Sequence, residues 1–149
     1  MAVKLGVIMD PIADINPKKD STLAMLLAAQ ERSWELFYFE QVDLYSHQGQ
    51  ARGVARSLKV MHSLESWFEL SNTSDIALSE LDVILMRKDP PFDRQFLYTT
   101  FFLENAQRSG TLIVNDPRSL RDCNEKVFAT EFPQCCPPVV ISSNAKIIK

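Results

Sequence analysis

The sequence predicts an α/β fold: a three-layer α/β/α, Rossmann-like arrangement on a mostly parallel sheet, with a β-hairpin insertion. Three observations point there. Short apolar runs rich in strand-forming residues recur and break at polar or proline-bearing ends; helical stretches with caps lie between them; and this rhythm pauses once, over residues 41–72.

Taken in order, VKLGVIM (Val3 to Met9) is a short apolar run ending at Asp10-Pro11, as expected of a strand buried on both faces. Asp20-Ser21 offers an N-cap, and Leu23, Leu26, Leu27 and Gln30 follow at helical spacing through Arg32. ELFYFE (Glu35 to Glu40) predicts a second strand, which makes the start of a βαβ unit with a right-handed crossover. Tyr45-Ser-His-Gln-Gly49 reads as a turn, and ARGVARSLKV beyond it as a solvated hairpin or edge strand. Ile76 to Leu81 is expected to form a short helix, Asp82 to Met86 a strand, and Arg94 to Arg108 a long helix striped by Phe96, Leu97, Thr100, Phe101 and Leu103. Gly110 stands where a C′ residue closes that helix. Thr111 to Val114 is the next strand, broken by Asn115-Asp116-Pro117. Beyond it, Ser119-Leu-Arg-Asp122 and Asp122-Cys-Asn-Glu125 are overlapping capping boxes that introduce a short helix through about Glu131. Pro133, Pro137 and Pro138 separate this from Val139-Val-Ile-Ser142, expected to be a strand that begins a second unit.

The chain has 149 residues, 46% of them hydrophobic, enough for one ordinary domain with its own core. Its formal charge of −3 gives no field that attracts nucleic acid or an anionic membrane. The first residues lack a signal-peptide pattern and no apolar run approaches the ~18 residues of a membrane span, so a cytoplasmic protein is expected. Cys123, Cys135 and Cys136 are odd in number, without CxxC spacing, and the histidines are only His47 and His62, so reduced structural thiols fit better than a disulfide framework or a zinc site.

In open parallel sheets ligands settle outside the carboxyl ends of the strands. Three predicted strand ends carry polar residues: Asp10 with Asp14; Arg87, Lys88 and Asp89; and Asn115 with Asp116. Arg87 stands out because a guanidinium presents a planar fork to a carboxylate or phosphate, and Pro90-Pro91 stiffens the loop behind it. The structural alternative is that Arg87 pairs with Asp89 or with a neighbouring helix end. Asp10, Asp14 and Asp89 invite comparison with phosphoacceptor receiver domains, but Asp116 occupies the place of the required lysine; Asp10 fits a role in capping loop backbone better. Four glycines, with neither GxGxxG nor GxxxxGK[ST], provide no phosphate cradle. Lys126, on a helix start, has the chemistry to meet a phosphate as a point charge, although a lysine there is ordinarily solvated.

Together, KLGVIMDPIADINPKKDSTLAMLLAAQ, VILMRKDPPFD and GTLIVNDPRSLRDCNEK resemble the N-terminal part of bacterial-type glutathione synthetase, of the ATP-grasp ligase superfamily. The resemblance implies a pre-ATP-grasp domain over residues 1–117, with 118–149 the linker and the beginning of a truncated ATP-grasp domain. It implies ATP-dependent ligation of γ-glutamylcysteine and glycine through an acyl phosphate, with Mg2+ neutralising the phosphates. Arg87 of RKDPP then corresponds to a peptide-substrate contact and Lys126 of LRDCNEK to the first ATP-contacting lysine. Asp10, Asp14 and Asp89 remain residues of the loops or the site's edge, and no metal ligand is expected within this stretch. The second ATP lysine, the glycine-rich flap and the metal ligands belong to the family's later region, so these 149 residues are expected to bind no cofactor and to show no ligase activity alone. Self-association is expected as well, since family members are oligomers. The rival from another class is a non-catalytic α/β binding or oligomerisation module, separated from the ligase by whatever follows Lys149.

Overall fold

In a computed structural model of the protein, which describes residues 2–89, 91–123 and 126–148, four parallel strands form the centre of the sheet. These are β1 (Lys4–Ile8), β2 (Glu35–Phe39), β6 (Val83–Met86) and β7 (Leu112–Val114), in the spatial order β2-β1-β6-β7. Leu5 faces Leu36 on one side and Val83 on the other, and Ile84 faces Ile113. Beside β2 lies an antiparallel extension of β3 (Leu44–His47), β4 (Gln50–Val60) and β5 (Phe68–Ala77). The expected insertion is thus present, and it prolongs the same sheet.

Side-chain alternation builds the three layers. Leu5 and Val7 of the first strand and Met9 just after it, with Leu36 and Tyr38 of β2, pack under α1 (Ser21–Glu31) through Leu23, Leu26 and Ala29. Ile8, Phe39, Ile84, Met86 and Ile113 point to the opposite face, where α2 (Arg94–Arg108) covers them with Phe96, Leu103 and Ala106. The period of two in the strands and the 3.6-residue period in the helices meet on both faces. Gly6 and Gly53 leave room on the α2 side: a Cβ on Gly53 would stand 2.8 Å from the Phe39 ring and 2.9 Å from Leu44. Each helix also clamps β4 with an amide. Gln30 donates to the Val60 carbonyl (2.7 Å) and accepts its N–H (2.9 Å), while Asn105 accepts from Ala51 N–H and donates to the Gly49 carbonyl, both at 3.0 Å.

Asp20 caps α1 as predicted, accepting from Leu23 N–H at 2.7 Å; α2 is capped by Asp93, which was not singled out from the sequence and which accepts from Phe96 N–H at 2.8 Å. Gly110, at φ +108°, leaves α2 through a backbone region that side chains disfavour.

Four expectations are corrected. Residues 76–81 are not a helix, because β5 runs to Ala77 and only a 3-10 turn, Leu78–Glu80, follows. The strand escaped notice because its middle, SNTSD, is exposed and polar and carries a bulge: β4 partners step from Thr73 to Ser71, leaving Asn72 over. Nor is β4 an edge, since β5 lines one side of it while β3 and β2 share the other. The helix after β7 is α3 (Pro117–Asp122), started one turn earlier than expected by Asp116, which accepts from Ser119 N–H at 2.9 Å, with Pro117 at its first position. The capping box ending in Asn124 and Glu125 lies outside the described residues. A separate 3-10 turn spans Phe128–Glu131. Finally, Val139 to Ser142 is not a strand; these apolar residues have no ladder partner among the described residues, and Val139, Val140 and Ile141 are exposed.

Segment 11–15 is tied to the sheet by two side chains. Tyr38 accepts from Ile12 N–H at 3.1 Å, and the Trp67 indole N–H donates to the Ile12 carbonyl at 2.9 Å. No helix among the described residues is long and apolar enough to cross a membrane.

Candidate functional site

Parallel packing puts the ends of the first strand and β6 side by side. Arg87 N–H donates to the Ile8 carbonyl at 2.7 Å, which extends the ladder one residue and fixes where the Arg87 side chain leaves the sheet. The guanidinium then crosses to the N-terminal turn of α1. Its Nε donates to Thr22 Oγ1 (3.0 Å) and an Nη to Ser21 Oγ (3.1 Å). Thr22 is buried, so this hydroxyl is a fixed post.

The next two residues are held by Asp10, at the end of the neighbouring strand. One carboxylate oxygen of Asp10 pairs with Lys88 Nζ at 2.9 Å and the other accepts the Asp89 N–H at 3.1 Å. Lys88 also donates to the Asp89 carbonyl. The charges at the mouth of β6 therefore have distinct duties: Lys88 is neutralised by Asp10, whereas among the described residues no carboxylate lies within ion-pair distance of Arg87. Hydroxyls orient the guanidinium without discharging it.

A cavity of about 210 Å³ opens at this point, with Asp10, Lys19, Asp20, Ser21, Thr22 and Arg87 in its walls. Asp89 lines it as well. Its position at the junction of two strand ends and a helix N-terminus is where open α/β sheets take ligands. The Arg87 fork, with hydroxyls on either side and Lys19 in the same wall, has the chemistry to take a carboxylate or a phosphate oxygen, while Asp10, Asp20 and Asp89 bring negative charge to the rim.

Asp14 stands apart from this cavity. It is exposed in the 3-10 turn Ile12–Asp14, where its N–H bonds the Pro11 carbonyl. Lys126 also stands apart, exposed and on the wall of a separate apolar hollow of about 510 Å³ formed with Cys136, Val139, Ile141 and Ile148. The structure thus brings Arg87, Asp10 and Asp89 together and leaves Asp14 and Lys126 out of that group. Pro90 lies outside the described residues. Asp116 of the third strand end caps α3 and accepts from Gln107 Nε2 at 3.0 Å; that bond, more than the Ser119 N–H, holds its carboxyl below the usual carboxylate range. Ser21, Thr22 and Lys19 are the residues that sequence reasoning missed. Their one signal was the Asp20-Ser21 cap, which places two hydroxyls in a first helical turn.

A second recess, of about 140 Å³, shares Met9 and Asp10 with the first and is lined also by Glu40, Gln41, Lys88 and Gln95. Behind it Tyr38 donates to Glu40 at 3.0 Å, and Arg56 stacks on the Tyr38 ring while pairing with Asp43 (2.6 Å) and Glu40 (3.4 Å). Burial foremost, and then Glu40, raises the Tyr38 phenol well above its ordinary range, so it stays a neutral donor. Among the described residues no three His, Cys, Asp or Glu side chains converge as metal ligands.

Comparison with known proteins adds the following. Residues 3–121 match the family described as Prokaryotic glutathione synthetase, N-terminal domain. A glutathione synthetase of Pseudomonas aeruginosa is 62% identical over 149 residues, covering 100% of this chain and 47% of that protein. One from Pseudomonas putida is 60% identical over the same span, and one from Escherichia coli K12 is 53% identical over 147 residues, 99% of this chain and 46% of its own length. The chain spans about half the length of the curated relatives it matches.

Proposed function

The chain belongs to the prokaryotic glutathione synthetase family through its N-terminal domain, and from that premise we propose that it forms the peptide-substrate side of an ATP-dependent ligase that joins γ-glutamylcysteine to glycine. In this reading residues 1–117 are the pre-ATP-grasp domain and 118–149 lead into the ATP-grasp region. The single observation that carries the assignment to this part of the chain is Arg87, cationic, oriented by Ser21 and Thr22, facing a cavity, and without a carboxylate within ion-pair distance among the described residues.

The reaction runs in two steps. An oxygen of the cysteinyl carboxylate takes the γ-phosphoryl group of ATP, which gives an acyl phosphate and ADP; the amine of glycine then attacks the acyl carbon, the C–O bond to phosphate breaks, and the amine loses a proton. The contribution of this chain is positioning. A guanidinium already fixed in direction holds a carboxylate of the dipeptide without paying for its own ordering at the moment of binding. Lys126 is assigned an ATP phosphate as a point charge, away from the Arg87 cavity. Mg2+, when bound, would neutralise the phosphates; no three His, Cys, Asp or Glu side chains converge as its ligands among the described residues. Self-association belongs to the same proposal, supported by Leu112 and Val114, exposed on the outer strand of the sheet.

Isothermal titration of the chain with γ-glutamylcysteine tests this assignment. Arg87→Met is expected to weaken binding at least about tenfold, the scale of one charge-assisted hydrogen bond in a partly exposed site. Equal affinity of R87M and the parent chain refutes it.

A further inference from the structure

Pro133-Gln-Cys-Cys-Pro-Pro138 sets two thiols side by side in an ordered turn. Cys135 ends the 3-10 turn Pro133–Cys135 and is exposed, and Cys136 follows it half-buried. Both backbone N–H groups are engaged, Cys135 with the Phe132 carbonyl at 2.9 Å and Cys136 with that of Pro133 at 3.3 Å, so the pair does not ride on a slack loop. The Cys136 thiol is anchored too, donating to the Ala129 carbonyl at 3.2 Å. It stands in the wall of the apolar hollow of about 510 Å³, with Val139, Val140, Ile141 and Ile148.

Adjacency decides what the two sulfurs can do. Neighbouring Cα atoms lie about 3.8 Å apart across a trans peptide, short of the roughly 4.4–6.8 Å spanned by ordinary disulfides, so closing Cys135 onto Cys136 stores strain and gives a bond that is easily reduced. Structural zinc takes four ligands, and among the described residues no third His, Cys, Asp or Glu joins the pair, Cys123 included. A single soft atom that bonds both sulfurs and brings its own remaining substituent removes both difficulties, because it lengthens the bridge by one atom and asks for no further protein ligand. Trivalent arsenic carrying one organic group has that valence. We propose that Cys135 and Cys136 form a dithiol site for a trivalent organoarsenical, with its organic group seated in the apolar hollow beside Cys136. With a reagent R–As=O, both sulfurs bond to arsenic, the arsenic–oxygen bond breaks, and the two thiol protons leave with the oxygen as water. Arsenic stays trivalent, so no oxidant is required. The second arsenic–sulfur bond forms within one chain, at a high effective concentration, and this is what holds the group. The site is independent of the ligase reading, although Lys126 shares the wall of the hollow.

Phenylarsine oxide is the probe, read by intact-mass spectrometry of the reduced chain. One equivalent is expected to add one phenylarsenic group with the loss of two hydrogens, to withstand an excess of a monothiol, and to come off with dithiothreitol. Cys135→Ser and Cys136→Ser are each expected to lower the dithiothreitol concentration for half-release by about a hundredfold, the loss of the intramolecular second bond, while Cys123→Ser matches the parent. Full retention in both C135S and C136S, or its loss in C123S, overturns the site. A Cys135–Cys136 disulfide that forms in air and resists a monothiol refutes the strain on which the choice of ligand rests. Nuclear Overhauser contacts from the phenyl protons to the methyls of Val139 and Ile141 are expected, and an adduct without them overturns the seating in the hollow. Cys135 is exposed, so C135S carries the comparison even where C136S, which loses the bond to Ala129, fails to fold.

Discussion

Asp10→Asn isolates the contact that joins the two strand ends. In the parent, one oxygen of Asp10 meets the Lys88 ammonium at 2.9 Å and the other accepts the Asp89 N–H at 3.1 Å. An amide of the same shape keeps one acceptor and turns the other atom into a donor, so one of the two contacts becomes donor against donor. The Lys88 pair is partly screened, with Asp10 at 43% side-chain exposure against 18% for Lys88, which places its Coulombic share near the 0.2–1 kcal/mol of surface pairs, roughly. A backbone N–H bonded to a carboxylate adds about 1 kcal/mol after the same discount for solvent. The sum is a loss of about 1–2 kcal/mol, or about 2–8 °C in Tm for a domain of this size. Urea denaturation gives the energy and scanning calorimetry the melting point. Repeating both in about 1 M salt, where the screening length falls to about 3 Å, is expected to shrink the Lys88 share and to leave the Asp89 share in place. If D10N unfolds together with the parent in both buffers, Asp10 does not hold the 87–89 loop and the account of the site's rigidity fails.

Two further outcomes follow from the packing and the caps. Gly53→Ala is expected to destabilise by about 1–3 kcal/mol in the same denaturation assay, because its Cβ would lie 2.8 Å from a Phe39 ring that is fully buried. Asp116, held below the ordinary carboxylate value by Gln107 and Ser119, stabilises the fold above about pH 3.9 and loses that contribution as pH falls through its lowered value. The melting gap between the parent and Asp116→Asn should be steady near neutrality and close in acid; a gap independent of pH would count against the cap.

How much of this was legible depends on how local the cause was. The apolar stripe and Gly110 state the course and the end of α2 within the helix itself, and the helix runs Arg94–Arg108 as read. The apolar runs at Lys4, Glu35 and Val83 form the parallel strands because burial on both faces leaves them little else to do. By contrast, β5 is made by its partner: a polar, exposed stretch pairs with β4 across a bulge, and no periodicity announces that. Val139 to Ser142 is the converse, strand-like residues without a ladder. At the site, polar residues after apolar runs pointed to Arg87, Asp10 and Asp89. That Thr22 orients Arg87 is a contact across 65 positions, and it is not encoded nearby.

The link between Trp67 and Ile12 gives the protein an optical gauge of its own ligand region. The indole N–H is bonded to the backbone of the very segment that runs from Asp10 to Ile15, beside both hollows. Any shift of that segment changes the dipole facing the indole and hence the colour of its fluorescence. With only one other tryptophan, Trp34, as background, a Trp34→Phe chain would report occupancy by emission alone, without a label.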